Sequence, residues 1–186
     1  MKILHIDTSI QGEGSASRRI AAEAVKALVV QQPGAQVTYR DLASEPLPHL
    51  TLPEFAAPES QAALAEFQAA DVVVIGTGMY NFTVPSQLKA WIDRILVAGQ
   101  TFRYTATGPE GLAAGKRVIV GLARGGYYGE GTPAAALEHA ETYLRGVFAF
   151  VGIGAIEVVA ADGTAIPDAR DAAIDTAARR AASIVA

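Results

Sequence analysis

Along this chain, apolar runs of strand length alternate with longer stretches in which apolar side chains recur at helical spacing. Ile3 to Ile6 is the first short run. From Ser15 to Gln31, Ile20, Ala24, Ala27 and Leu28 fall on one helical face, and Pro33-Gly34 stops the pattern. Gln36 to Arg40 reads as a second strand, with Val37 and Tyr39 alternating against polar neighbours. A loop carrying Pro46, Pro48, Pro53 and Pro58 leads to a short helix over Glu59 to Ala69. Val72 to Gly76 is continuously apolar, as expected of a central strand covered on both faces. Pro85 suits the first turn of a helix whose buried stripe is Leu88, Ile92 and Ile95, running up to Gly99. Arg117 to Ala123 predicts a fourth strand, Pro133 to Phe150 a long helix, Ala155 to Ala161 a fifth strand and Pro167 to Val185 a closing helix.

Five strands alternating with helices predict an α/β, doubly wound parallel sheet with helices on both faces. For a chain of this size the expected strand order is 2-1-3-4-5. At 186 residues, with no repeat, low-complexity tract or linker, residues 1–186 are expected to form a single domain. Gln100 to Lys116 is too long for a simple turn, so Phe102-Arg103-Tyr104-Thr105 is read as an excursion from the sheet.

Composition narrows the chemistry. Hydrophobic residues make up 51% and charged residues 18%, the reverse of a disordered chain. The formal net charge of −4 argues against a nucleic-acid or anionic-membrane partner. The N-terminal apolar run is too short for a signal peptide and no stretch is long enough to span a bilayer, so a cytoplasmic protein is expected. With no cysteine, disulfides, thiolate metal sites, iron–sulfur clusters and cysteine nucleophiles are excluded. His5, His49 and His139 lie on separate elements without metal-ligand spacing, so no metal is expected. His5 reads as a packed core residue, and Glu138 and Glu141 as a solvated helix face.

In such sheets ligands bind beyond the carboxyl ends of the strands, which selects the loops after strands one, three and four. The first, Asp7 to Arg19, sets Ser9, Ser15, Ser17, Gly12 and Gly14 where a strand feeds a helix N-terminus. Free amides and the positive end of the helix dipole converge there, which suits a phosphate. Arg18 and Arg19 oppose that dipole unless an anion is bound. Ser15 or Ser17 also suits a plain N-cap, with the arginines solvated. Gly12-x-Gly14 without a third glycine, and without Gly-Lys-Ser/Thr, matches neither a dinucleotide fingerprint nor a Walker loop, so a monophosphate fits best. The second loop places Met79, Tyr80, Asn81 and Phe82 in succession, which suits either a flat heteroaromatic ring or ordinary core packing. The third, from Ala123 through Arg124, Gly125 and Gly126 to Tyr127 and Tyr128, has a glycine pair that lets backbone N–H groups approach a ligand edge, or simply makes a turn.

Ser9, Ser15-x-Ser17, Met79-Tyr80-Asn81-Phe82, Pro85-Ser86-x-Leu88-Lys89-x-Trp91-Ile92-Asp93-Arg94, Gly99-x-Thr101-Phe102, Gly115-Lys116 and Arg124-Gly125-Gly126 together resemble the FMN-dependent NADH-azoreductases, also called FMN-dependent NADH:quinone oxidoreductases. The resemblance covers nearly the whole chain, and the Met-Tyr-Asn-Phe and Pro-Ser-x-Leu-Lys-x-Trp motifs are its most specific parts. It implies a flavodoxin-like three-layer fold, one tightly but non-covalently bound FMN per subunit, and a homodimer with the site near the interface. By position, Ser9, Ser15, Ala16 and Ser17 would hold the phosphate. Met79 to Phe82 would contact the isoalloxazine and ribityl parts, and Ala123 to Gly126 would line the pyrimidine edge. Phe102, Tyr127 and Tyr128 are expected to shape the substrate pocket. The implied reaction is ping-pong, with NADH delivering hydride to FMN and leaving before a quinone or aromatic azo compound takes two electrons; no catalytic side chain is required.

The chain departs from the family pattern at three positions: Ala123 stands where Ser is usual, Gly78 where Pro is frequent, and Tyr128 where His is frequent. It is also short around Thr51 to Pro58. Two rival readings remain. One is a flavodoxin-type electron carrier, usually far more acidic than −4. The other is a serine hydrolase acting through Ser15 or Ser17, weakened by the absence of a Gly-x-Ser-x-Gly elbow.

Overall fold

The computed structural model describes all residues from 1 to 186. Its centre is a parallel sheet of five strands. Strand β1 (Lys2–Asp7) pairs with β2 (Gln36–Asp41) on one side and β3 (Val72–Gly78) on the other. Beyond β3 lie β6 (Arg117–Ala123) and then β7 (Ile156–Ala161). The order β2-β1-β3-β6-β7 is the expected 2-1-3-4-5 once only the strands of this sheet are counted. The two remaining strands, β4 (Phe102–Thr105) and β5 (Gly108–Gly111), form an antiparallel hairpin inside the Gln100 to Lys116 excursion.

Strand periodicity divides the core in two. Val72 and Val74 of β3 pack with Ile20, Ala21, Ala24 and Leu28 of α1 (Ala16–Gln31) and with Ala177 and Ala181 of α5 (Pro167–Ala182). On the other face, Val73 and Ile75 join Phe67 of α2 (Pro58–Ala69), Leu88 and Trp91 of α3 (Ser86–Ile95), and Leu144 and Phe148 of α4 (Ala140–Phe150). Alternate side chains of one strand therefore feed opposite layers, which explains why β3 shows no polar face. Helix α1 sits very close to the sheet at its N-terminus. A Cβ on Gly76 would fall 2.9 Å from the Ser17 carbonyl oxygen and 2.3 Å from Asp7 Oδ1, so glycine is required for that approach.

Strand β2 forms where expected, and its alternating Val37 and Tyr39 are 43% and 53% exposed, because β2 is an edge strand. Three expectations need revision. The stretch from Pro133 to Phe150 is not one helix. A 3₁₀ turn at Ala135–Leu137 is followed by a fresh start, where the Glu138 carboxylate accepts from the amides of Glu141 (2.9 Å) and Thr142 (3.2 Å). Helix α3 stops at Ile95 rather than Gly99, because Thr101 Oγ1 donates to the Ile95 carbonyl at 2.6 Å and accepts from Val97 N–H at 3.0 Å. Pro85 precedes α3 in an extended conformation instead of entering its first turn. No helix is long and apolar enough to cross a membrane.

Candidate functional site

The carboxyl ends of β1, β3, β6 and β7 surround a cavity of about 340 Å³, within the range of small-molecule sites. Ser9, Gln11, Ser15, Ala16 and Ser17 line it from the loop after β1. Gly78, Met79 and Tyr80 line it from the loop after β3, and Ala123 and Gly125 from the loop after β6. The fourth wall is Thr164, Ala165 and Arg170, after β7.

Hydrogen bonds stitch these loops into one frame. Thr8 Oγ1 donates to the Gly76 carbonyl (3.2 Å) and lies 3.0 Å from Thr77 Oγ1. The Tyr80 hydroxyl accepts from the Ile10 amide at 3.2 Å and lies 3.4 Å from Ser9 Oγ. The Met79 amide donates to the Ala123 carbonyl at 2.8 Å. Ser15 is the N-cap of α1, its Oγ accepting from the Arg18 amide at 3.3 Å, and it also lies 3.1 Å from Ser17 Oγ. Both hydroxyls are buried, and the first amides of α1 beside them have no partner within the helix.

The Gly125-Gly126 segment is held with its amides free. The carbonyls of Arg124, Gly125 and Gly126 each accept, at 3.0 Å, from the amides of Thr164, Ala165 and Gly163 respectively. In a trans peptide the following N–H points the opposite way, so the Gly125 and Gly126 amides face away from that loop and meet no protein acceptor. Tyr80 and Thr83 exchange backbone hydrogen bonds of 2.8 and 3.1 Å around Asn81 (φ 46°) and Phe82 (φ 74°), a turn with both central residues left-handed. Phe82 is strained there, at about 1–3 kcal/mol for such a residue. Its carbonyl is fixed by the His139 amide at 2.9 Å.

The expected site residues separate accordingly. Ser9, Ser15, Ala16, Ser17, Met79, Tyr80, Ala123 and Gly125 meet at the cavity. Asn81, Phe82 and Gly126 lie beside it in the same loops, without lining it. Arg124 turns its side chain away. It is buried among Glu138 (3.5 Å), Glu141 and Asp162 (3.2 Å), so Glu138 and Glu141 are ion-pair partners and not a solvated face. Burial works against the Arg124 charge, but the hydrogen bond and charge of Asp162, with Glu141 and Glu138, raise its pKa. Phe102 does not reach the cavity; it packs in the hairpin against Phe150 (4.7 Å between ring centres) and Tyr104 (5.5 Å). Tyr127 is 53% exposed and covers Gly163, while Tyr128 meets Phe82 edge-on at 6.2 Å.

The two arginines of the first loop are also placed elsewhere. Arg18 donates to both Asp41 oxygens (2.8 Å each) and to the Ser9 carbonyl (2.9 Å). Its hydrogen bond holds the Asp41 carboxyl down to about 2. Burial, then the charge of Asp7, pushes the neighbouring Tyr39 hydroxyl up to about 12. Arg19 pairs with Asp175 at 2.6 Å. The wall after β7 escaped sequence reasoning altogether, although Asp162-Gly163 directly after a strand is a turn signal of the kind that marked the other loops.

Comparison with known proteins places this geometry in a family. Residues 1–185 match the family model described as flavodoxin-like fold. A Methylorubrum populi protein named FMN-dependent NADH:quinone oxidoreductase is 54% identical over 202 aligned positions that cover all of both chains. The chain belongs to the FMN-dependent NADH:quinone oxidoreductase family. Among solved structures, the azoreductase from Bacillus anthracis str. Sterne superposes with a TM-score of 0.86 at 29% identity, over 99% of this chain and 100% of that one. An FMN-dependent NADH-azoreductase from Bacillus anthracis str. Ames Ancestor, solved in complex with FMN, gives 0.82 at 25% identity, over 97% and 98% of the two chains.

The residues present fit the family's flavin. Two buried serine hydroxyls and the start of α1 suit a phosphate, and the unpartnered amides of Gly125 and Gly126 suit the polar edge of a ring. The departures from the family pattern have visible consequences. At Gly78, where Pro is frequent, a Cβ would lie 2.8 Å from the Tyr80 ring, so the missing side chain is what lets that ring settle here. Ala123 lines the cavity without the hydroxyl that the usual serine would bring. The alignment of 202 positions, against 186 in this chain, means that the relative carries residues with no counterpart here.

Proposed function

We propose that residues 1–186 form a single FMN-binding domain that oxidises NADH and reduces quinones and aromatic azo compounds. When bound, FMN supplies the two-electron transfer between these partners. The observation that carries the reading is that buried Ser15 and Ser17 line the same cavity as Gly125, whose amide is free, with the free Gly126 amide beside it.

Ser9, Ser15, Ala16 and Ser17 hold the phosphate through hydroxyls and helix amides. Met79, Tyr80, Asn81 and Phe82 contact the ring and the ribityl chain, and the strained turn at Asn81 and Phe82 aims backbone groups at the ligand. Ala123, Arg124, Gly125 and Gly126 line the pyrimidine edge, Arg124 through its backbone alone. Donors aimed at that edge favour negative charge there. Tyr127 and Tyr128 shape the substrate side.

The working unit is a homodimer with the site near the interface, a reading supported by the exposed Ile10 (67%), Phe82 (42%) and Tyr127 (53%) in the loops that form the cavity, and it works in the cytoplasm. A serine hydrolase finds no support, since Ser15 and Ser17 bond each other and no histidine lies within hydrogen-bond reach. The test is the cofactor of the purified protein. A yellow protein that releases FMN on denaturation supports the reading, and a colourless protein that cannot be reconstituted with FMN overturns it.

A further inference from the structure

Arg18 and Arg19 stand in the first turn of α1, where only a bound anion would reverse their conflict with its dipole. Both are neutralised elsewhere, Arg18 by Asp41 and Arg19 by Asp175. The cavity nevertheless has a guanidinium, and it comes from the far end of the chain. Arg170, in the first turn of α5, lines the same cavity as Ser15 and Ser17.

Its surroundings are unusual for an arginine. Nη1 donates to the Thr164 carbonyl and Nη2 to the Gly14 carbonyl, both at 2.8 Å. Those bonds span the loops after β1 and β7 and fix the side chain across the cavity rim. No carboxylate lies within ion-pair distance of it, so its charge is uncompensated. A cation in the first turn of a helix is also opposed by that helix's own dipole. Two carbonyls orient the group without neutralising it, and an anion in the cavity would do so.

We infer that Arg170 is the cationic ligand of the flavin phosphate and makes this cavity select FMN over unphosphorylated riboflavin. The inference rests on the FMN reading of the cavity. It assigns the charge complement to a residue outside the family's serine loop, on an element that carries none of the motifs by which the family is recognised. Because the guanidinium is held by neutral carbonyls, all of its charge is available to a dianion, and Ser15, Ser17 and the α1 amides supply the remaining hydrogen bonds.

The test compares two flavins that differ only in the phosphate. Full-length wild type, Arg170→Gln and Arg170→Lys are freed of flavin, checked for native circular dichroism, and titrated with FMN and with riboflavin at low and high salt by quenching of flavin fluorescence. Loss of a charge-assisted hydrogen bond predicts that Arg170→Gln binds FMN roughly tenfold to a hundredfold more weakly. Riboflavin affinity stays unchanged, the salt dependence of FMN binding flattens, and Arg170→Lys recovers part of the loss. Equal weakening of both flavins would make Arg170 a mere tie between loops and overturn the inference, as would unchanged FMN affinity. Should Arg170→Gln not fold, Arg170→Lys carries the comparison: FMN weakened with riboflavin unchanged supports the inference, and both or neither weakened overturns it. A wild-type protein that binds neither flavin overturns the FMN reading itself, which separates that failure from this one.

Discussion

Replacing Arg124 by Met keeps the aliphatic bulk of the side chain and removes its charge from three carboxylates. Arg124 and the Glu138 side chain are 4% and 9% exposed, whereas Glu141 and Asp162 keep 25% and 31%. Removing one partner of a buried ion pair typically costs about 3–5 kcal/mol, mostly from the charges left behind. Here the lower end applies. Glu141 keeps Arg145 at 2.6 Å, Glu138 keeps the amides that start α4, and Asp162 retains water. A loss near 3 kcal/mol corresponds to roughly 6–12 °C in Tm for a chain of this length. The pH dependence has a definite sign. Burial raises the Glu141 pKa, but the hydrogen bonds from Arg145 and Arg124 outweigh it, so the folded value lies below the ordinary 4.5. A carboxyl depressed in the folded state contributes stability above its unfolded pKa and loses it as pH falls through the folded one. The gap between wild type and Arg124→Met is therefore full at neutral pH and narrows below about pH 4.5. Thermal unfolding followed by circular dichroism from neutral to acid pH measures it. An unchanged Tm at neutral pH, or a gap that widens in acid, would refute the reasoning.

Three further perturbations probe the frame of the site. Gly76→Ala places a methyl 2.3 Å from Asp7 Oδ1 and 2.9 Å from the Ser17 carbonyl; overpacking of this kind costs about 1–3 kcal/mol, so both Tm and FMN affinity should fall. Ser17→Ala removes one neutral hydrogen bond from the fold, worth about 0.5–1.5 kcal/mol, and a charge-assisted one from the bound phosphate. FMN retention should therefore suffer more than folding, and equal losses in calorimetry would reduce Ser17 to a structural residue. Asp41→Asn removes the Arg18 hydrogen bond that holds Asp41 near 2, below its ordinary 3.8. Wild type should exceed this variant in stability above about pH 4, with the difference gone near pH 2 in acid unfolding curves.

How much of this was legible depended on whether a feature was local. The run at Val72 to Gly76 announced β3 because both faces are buried, but Thr77 and Gly78, which extend it by pairing with Leu122 and Ala123, carry no apolar signal. Alternation alone announced β2, although Val37 and Tyr39 are exposed, since an edge strand can alternate without a layer to bury it. The serine loop, the Met79 to Phe82 turn and the glycine pair were readable because each is contiguous and follows a strand. What the side chains do was not. Arg124 turns outward to meet Asp162, 38 positions later, and Arg170 reaches back 156 positions to the Gly14 carbonyl. Neither partner is marked by spacing, and both depend on how far β7 brings its following loop around the cavity.

The central claim is that this cavity holds a working flavin and not an electron carrier's or a hydrolase's site. Steady-state turnover of the FMN-loaded protein with NADH and a quinone, varied against each other, tests it most directly. Many turnovers per protein with parallel double-reciprocal lines, the pattern of ping-pong transfer, are expected. A protein that keeps its FMN yet shows no NADH-driven turnover with any quinone or azo acceptor would contradict it.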